Sequence, residues 1–246
     1  MKITYFEIQN IPCKLYEPED IPVTRVILGV HGFAGDKESS ALEALAFAMA
    51  DFGTALVCFD FPAHGASSDN EAQFTVDKCI ADLAAVDAWI RENFPKAEKA
   101  VFATSFGGYI SLLSAQRFEG YRIVLRAPAV TMPEVLLSSV LHISAEEFES
   151  VGMVECGFER KICLPFAFYR DLLLHPVECT DRHMLIIHGS NDDVVPYSDV
   201  LSFCSRNPNA SLVTVKGADH RFKKPGELDV VITAAKNYII GRLPAK

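Results

Sequence analysis

Ser105, His220 and a carboxylate at 192 or 193 are the residues whose types and spacing allow nucleophilic chemistry. Ser105 lies in Lys99-Ala-Val-Phe-Ala-Thr-Ser105-Phe-Gly-Gly-Tyr109. The apolar run Ala100 to Ala103 reads as a buried strand, and Tyr109 to Phe118 has helical composition. A strand that turns sharply into a helix through Ser-x-Gly lifts the hydroxyl off the sheet. It also sets the following backbone N–H groups near the positive helix end. Such turns usually carry glycine two residues before the serine; here Ala103 stands there, a small residue that a tight turn accepts. Taken alone, Ser-x-Gly-Gly is equally a helix N-cap with no chemistry.

A serine hydroxyl becomes a nucleophile when a base lies within hydrogen-bond reach and a carboxylate orients that base. In open α/β sheets such groups collect at the carboxyl ends of strands. Asp192 and Asp193 follow the apolar run His183 to His188, and His220 follows Ser211 to Val215. Ser, Asp and His thus fall at three predicted strand ends, in the chain order of one known triad arrangement. Either aspartate satisfies this geometry. The oxyanion formed on attack needs two donors. One is the N–H of Phe106, directly after the serine. The other is the N–H of Phe33 in His31-Gly-Phe33, where glycine lets the backbone approach a substrate. The chemistry calls for no cofactor and no metal.

The other histidines have plainer readings. His31 holds its loop by a hydrogen bond, His64 stabilises a turn beside Gly65, and His188 is a satisfied histidine at a strand end. His142, His175 and His183 have no motif around them, and Ser39, Ser40, Ser67, Ser68 and Ser190 have no elbow.

The elements that must position these groups follow a βα rhythm. Ile3–Gln9 and Cys13–Tyr16 suggest an edge hairpin. Val23–Val30, Ala55–Phe61, Ala100–Ala103, Tyr121–Arg126, His183–His188 and Ser211–Val215 are strand-like. Helical spacing separates them at 37–52, 74–94, 109–118, 197–205 and 226–241, with Asp69 and Asn70 as candidate caps for the second. Strands apolar on both faces belong to parallel sheets covered by helices. The expected class is α/β, a doubly wound, mostly parallel sheet. The rhythm breaks from Thr131 to Asp181. Residues 1–130 and 182–246 are therefore expected to form the core, with 131–181 an inserted cap. The cap aromatics Phe148, Phe158, Phe166, Phe168 and Tyr169 could line a pocket or form the cap's own small core.

Composition bounds the partners. Half of the 246 residues are hydrophobic, enough for a sizeable core, and the net charge is −9. An acidic chain gains nothing from polyanions, so neither nucleic acid nor an anionic membrane surface is expected as a partner. No apolar run approaches the length of a membrane span, and the N-terminus lacks the apolar core of a signal peptide. Seven scattered cysteines without a Cys-x-x-Cys pair read as free thiols, which points to the cytoplasm.

Five stretches together carry a resemblance: His31-Gly-Phe-Ala-Gly35, Asp60-Phe-Pro-Ala-His-Gly65, Ala103-Thr-Ser-Phe-Gly-Gly108, His188-Gly-Ser-Asn-Asp-Asp-Val-Val-Pro196 and Gly217-Ala-Asp-His220. From about residue 25 onward the chain resembles the α/β-hydrolase serine hydrolases, and more narrowly their small capped esterases. That group takes in cinnamoyl and feruloyl esterases, monoacylglycerol lipases and S33-like peptidases. The cap is unmatched in detail. The resemblance implies the α/β-hydrolase fold and a triad, and it favours Asp192 over Asp193 by the spacing to Pro196. It further implies hydrolysis of small-molecule carboxylic esters with short or aromatic, feruloyl-like acyl groups. A peptidase or amidase, an acyltransferase and a non-catalytic ligand-binding member of the fold are the rivals. A homodimer is compatible with this reading.

Overall fold

The computed structural model describes residues 1–157 and 160–242. Eight strands form one sheet: β1 Lys2–Ile8, β2 Ile11–Glu17, β3 Arg25–Val30, β4 Thr54–Phe59, β5 Glu98–Thr104, β6 Arg122–Arg126, β9 Met184–Gly189 and β10 Ala210–Val215. Their spatial order is β1-β2-β4-β3-β5-β6-β9-β10. Only the β1–β2 and β2–β4 pairs run antiparallel; the rest are parallel. This is the α/β-hydrolase fold that the sequence predicts. The hairpin turn is the two residues Gln9 and Asn10, both with positive φ, which suits the strand twist.

The parallel strands are apolar on both faces because helices cover both. In β3, Val26, Leu28 and Val30 join one core cluster while Ile27 joins the other. The first face lies under α2 Val76–Asn93, α3 Phe106–Leu113 and α7 Tyr197–Arg206; the second lies under α1 Ser40–Met49 and α8 Glu227–Ile239. Three helices start differently from expectation. Helix α1 begins at Ser40 rather than at 37. Helix α3 begins at Phe106, three residues early, since Gly107 and Gly108 are helical rather than loop. Helix α2 is capped by Thr75, whose side chain accepts from Lys78 N–H; Asn70 caps a separate short 3-10 turn at 71–73.

Between β6 and β9 lie α4 Met132–Val135, a π-turn over Leu136–Leu141, α5 Ala145–Val151, the two-stranded sheet β7 Met153–Cys156 and β8 Ile162–Pro165, and α6 Phe166–Leu174. Phe168 stacks on Phe74 with ring centres 4.5 Å apart, and the Phe148 ring packs on Phe166 and Tyr169. Phe158 lies outside the described residues.

Candidate active site

Strand β5 ends at Thr104, and Ser105 follows with φ 51° and ψ −114°. That is the left-handed region, costly for a non-glycine residue and persistent only where the surroundings enforce it. Three features do so. Ser105 N–H donates to the Arg126 carbonyl at 2.9 Å, and Ser105's carbonyl accepts from Tyr109 N–H and Ala129 N–H. Gly107 and Gly108 permit the close approach of α3: a Cβ on the first would strike the His31 carbonyl, and on the second Pro128. Ala103, in place of the usual glycine, is wholly buried within β5, and the turn forms after it.

The loop after β9 brings Asp192 to His220. Its carboxylate oxygens lie 2.8 and 3.0 Å from His220 Nδ1. The other ring nitrogen, Nε2, is 3.0 Å from Ser105 Oγ. Asp192 also accepts the N–H groups of Val194 and Val195, and its side chain has no exposed surface. Burial alone would raise its pKa; the hydrogen bond from His220 and those two backbone donors outweigh it and hold the carboxyl below its usual value. Asp193 is exposed and only accepts the backbone N–H of His220, at 3.3 Å. The chain Asp192–His220–Ser105 thus joins three strand ends with the proton path of a general base.

His188 sits behind Asp192, fully buried, with Nε2 3.0 Å from the Val195 carbonyl and 3.2 Å from Asp192. Both neighbours are acceptors, so Nε2 carries the proton and donates. Burial pushes the ring's pKa below the usual imidazole value, against the pull of the Asp192 carboxylate.

A second histidine pair shapes the loop after β3. His31 Nδ1 donates to the Gly32 carbonyl and Nε2 accepts from Phe61 N–H; His64 Nδ1 donates to the Pro62 carbonyl and Nε2 accepts from Ala34 N–H. Every ring nitrogen is used and both rings are buried. Burial pushes the pKa of both down, that of His64 to about 3. Asp60 completes the clamp by accepting Lys37 N–H, Lys37 Nζ at 2.6 Å and Ala66 N–H. Gly65 is required there, with φ 55° and no room for a Cβ against the Asp60 carboxylate. The clamp fixes Gly32-Phe33 against the serine turn. Among the described residues, neither Phe33 N–H nor Phe106 N–H donates to a protein acceptor.

A cavity of about 260 Å³ opens over Ser105 and His220. Phe33 and Val194 wall it, with Met132 and Val135 from α4 and Val140 from the π-turn. Thr104, Arg126 and Arg221 add polar surface. The aromatics Phe148, Phe166, Phe168 and Tyr169 do not reach it, and Phe106 keeps its ring in the core against Phe61 and Phe74. Aliphatic spacing at Met132, Val135 and Val140 gave no hint of a pocket wall, because a core helix has the same pattern. Arg126 did leave a trace: it is a cation directly after the apolar run Ile123-Val-Leu125.

Known proteins can be set beside this geometry. The family model for serine aminopeptidase, S33, matches residues 22–153, more than half of the chain. The mouse mitochondrial palmitoyl-protein thioesterase ABHD10 is 22% identical over 229 residues, 87% of this chain and 74% of that one. Among solved structures, Est1E from Butyrivibrio proteoclasticus with ferulic acid bound superposes with a TM-score of 0.81 at 22% identity, covering 96% of this chain and 98% of its own. Mouse ABHD10 itself superposes with a TM-score of 0.75 at 19% identity, covering 99% and 100%.

Proposed function

The chain belongs to the serine aminopeptidase, S33, family of α/β-hydrolases, and from that premise we propose that it hydrolyses carboxylic esters through an acyl-enzyme on Ser105. The observation that carries this reading is the imidazole of His220, held between Ser105 Oγ and the Asp192 carboxylate. His220 Nε2 takes the Ser105 proton as Oγ attacks the ester carbonyl. The N–H groups of Phe33 and Phe106 receive the oxyanion; donors fixed in advance typically contribute a few kcal/mol each. Collapse expels the alcohol, which His220 protonates. Water, deprotonated by the same imidazole, then frees the acid and restores Ser105. No cofactor enters these steps.

The wall supports aliphatic or small acyl groups, since Met132, Val135, Val140 and Val194 face the serine and Phe33 is the one aromatic among its described lining residues. Residues 131–181 act as the cap of this site through α4 and the π-turn. Aminopeptidase action is less well supported. A peptide's free amine calls for a carboxylate, and the described lining residues hold two arginines and no Asp or Glu. Glu146 and Glu147 lie on α5, away from the cavity.

The test is turnover of 4-nitrophenyl esters from acetate to long acyl chains, with methyl ferulate beside them. Wild type should hydrolyse short to medium chains best. Ser105→Ala and His220→Ala should each lose several orders of magnitude in kcat. Turnover of peptide amides but of no ester would replace this reading with the peptidase.

A further inference from the structure

The cavity beside Ser105 holds polar groups that ester hydrolysis itself does not use. Arg126 ends β6 after Ile123, Val124 and Leu125, and its side chain lines the cavity while being only 8% exposed. Nη2 donates to the Arg221 carbonyl at 2.8 Å, and the guanidinium sits 4.8 Å from the Phe222 ring centre. Among the described residues Nε has no partner and Arg126 forms no ion pair. Asp192 and Asp219 act on it only at a distance. Of its five N–H donors, one is engaged in a hydrogen bond among the described residues. Burial lowers its pKa to about 10, which leaves it a cation at neutral pH.

Thr104 is its register partner across β5 and β6, and it lines the same cavity. Among the described residues its buried Oγ1 also lacks a partner. Two adjacent strand ends therefore place a buried, unpartnered hydroxyl and an underused cation beside the nucleophile. A buried cation without a counter-ion is unfavourable unless something supplies the anion. A planar guanidinium is matched in shape and charge to a carboxylate.

We propose that Arg126, with Thr104 beside it, recognises a carboxylate on the substrate, so that the preferred esters are monoanions. These are half-esters of dicarboxylic acids, or esters whose alcohol portion bears an acid group. The proposal rests on the ester-hydrolase reading and narrows its substrate class. The competing role is that of a strut, with Arg126 merely holding the His220 loop through Arg221 and Phe222.

Two matched pairs of esters separate these roles. The acyl-side pair is mono-4-nitrophenyl glutarate against 4-nitrophenyl pentanoate. The alcohol-side pair is 4-carboxyphenyl pentanoate against phenyl pentanoate. Wild type should prefer the anion in one pair by about ten- to hundredfold in kcat/KM, the range of a charge-assisted hydrogen bond. The pair that responds tells which side of the ester carries the acid. In Arg126→Gln that ratio should fall to about one, Arg126→Lys should keep part of it, and Thr104→Val should lower it severalfold. A wild-type ratio near one in both pairs overturns the proposal. So does an Arg126→Gln protein that loses rate on both members equally, which is the signature of a strut. If wild type turns over no ester, the ester reading has failed on its own. Calorimetry on Ser105→Ala with monoethyl glutarate and diethyl glutarate then decides the subsite. Tighter binding of the monoanion, lost on adding Arg126→Gln, upholds the subsite; equal or absent binding of the two overturns it.

Discussion

Each side of the serine turn has two histidines and a buried aspartate, and the two sets differ in what they bind. After β3 and β4, His31 and His64 give every ring nitrogen to backbone groups, and Asp60 is paired with Lys37 and two N–H groups. After β9 and β10, Asp192 bonds to an imidazole whose far nitrogen meets a hydroxyl. The residue types are the same. One set is closed, with no proton free to move, and works as a clamp. The other is open at Ser105 and holds a proton where chemistry can use it. The fate of the second ring nitrogen therefore separates His31 and His64, where backbone takes it, from the proposed base His220, where a hydroxyl meets it.

The largest effects should come from the open set. Asp192→Asn leaves the shape intact but removes the charge that orients the imidazole, so kcat should fall by about 10³- to 10⁴-fold with little change in melting temperature. Steady-state kinetics beside a thermal melt checks this. Asp60→Ala should do the reverse. It strands buried Lys37 without its partner and should cost about 3–5 kcal/mol of stability, read by denaturant unfolding. A catalytic loss as deep as that of Asp192→Asn, without the stability loss, would break the comparison.

Next comes pH. His31, His64 and His188 are buried with pKa values below that of an unfolded histidine, near 6.5. Below that pH the unfolded chain binds protons that the folded chain refuses. Their contribution is complete above about pH 6.5 and is lost as pH falls toward the folded values. By pH 5 the loss should reach about 2 kcal/mol for His64, whose folded value is about 3. Unfolding free energies at pH 7.5 and 5 measure it; equal values would mean that these rings are not held neutral. The smallest effect belongs to Asp193→Asn. The exposed side chain only accepts a long bond from the His220 backbone, and kcat/KM should stay within about threefold.

The sheet was legible because β3, β4, β5, β6 and β9 are short apolar runs bounded by turn residues, a pattern that little else produces. The same pattern put Ser105, Asp192 and His220 at strand ends, since chemistry-bearing residues there interrupt apolar sequence. The cavity wall was not legible. Met132, Val135 and Val140 face a cavity, but their spacing is that of a core helix. The inserted aromatics pack on Phe74 or on one another instead of facing Ser105, a matter of helix rotation that composition does not encode. Nor did spacing reveal that Thr104 and Arg126 share a register. That follows from β5 and β6 being neighbours in the sheet, a long-range fact.

The most direct test of the central claim is the rate at which a fluorophosphonate labels the protein, with the site mapped by peptide mass spectrometry. The account predicts rapid labelling at Ser105, slowed by orders of magnitude in both His220→Ala and Asp192→Asn. Labelling at another residue, or an undiminished rate at Ser105 in His220→Ala, would contradict it.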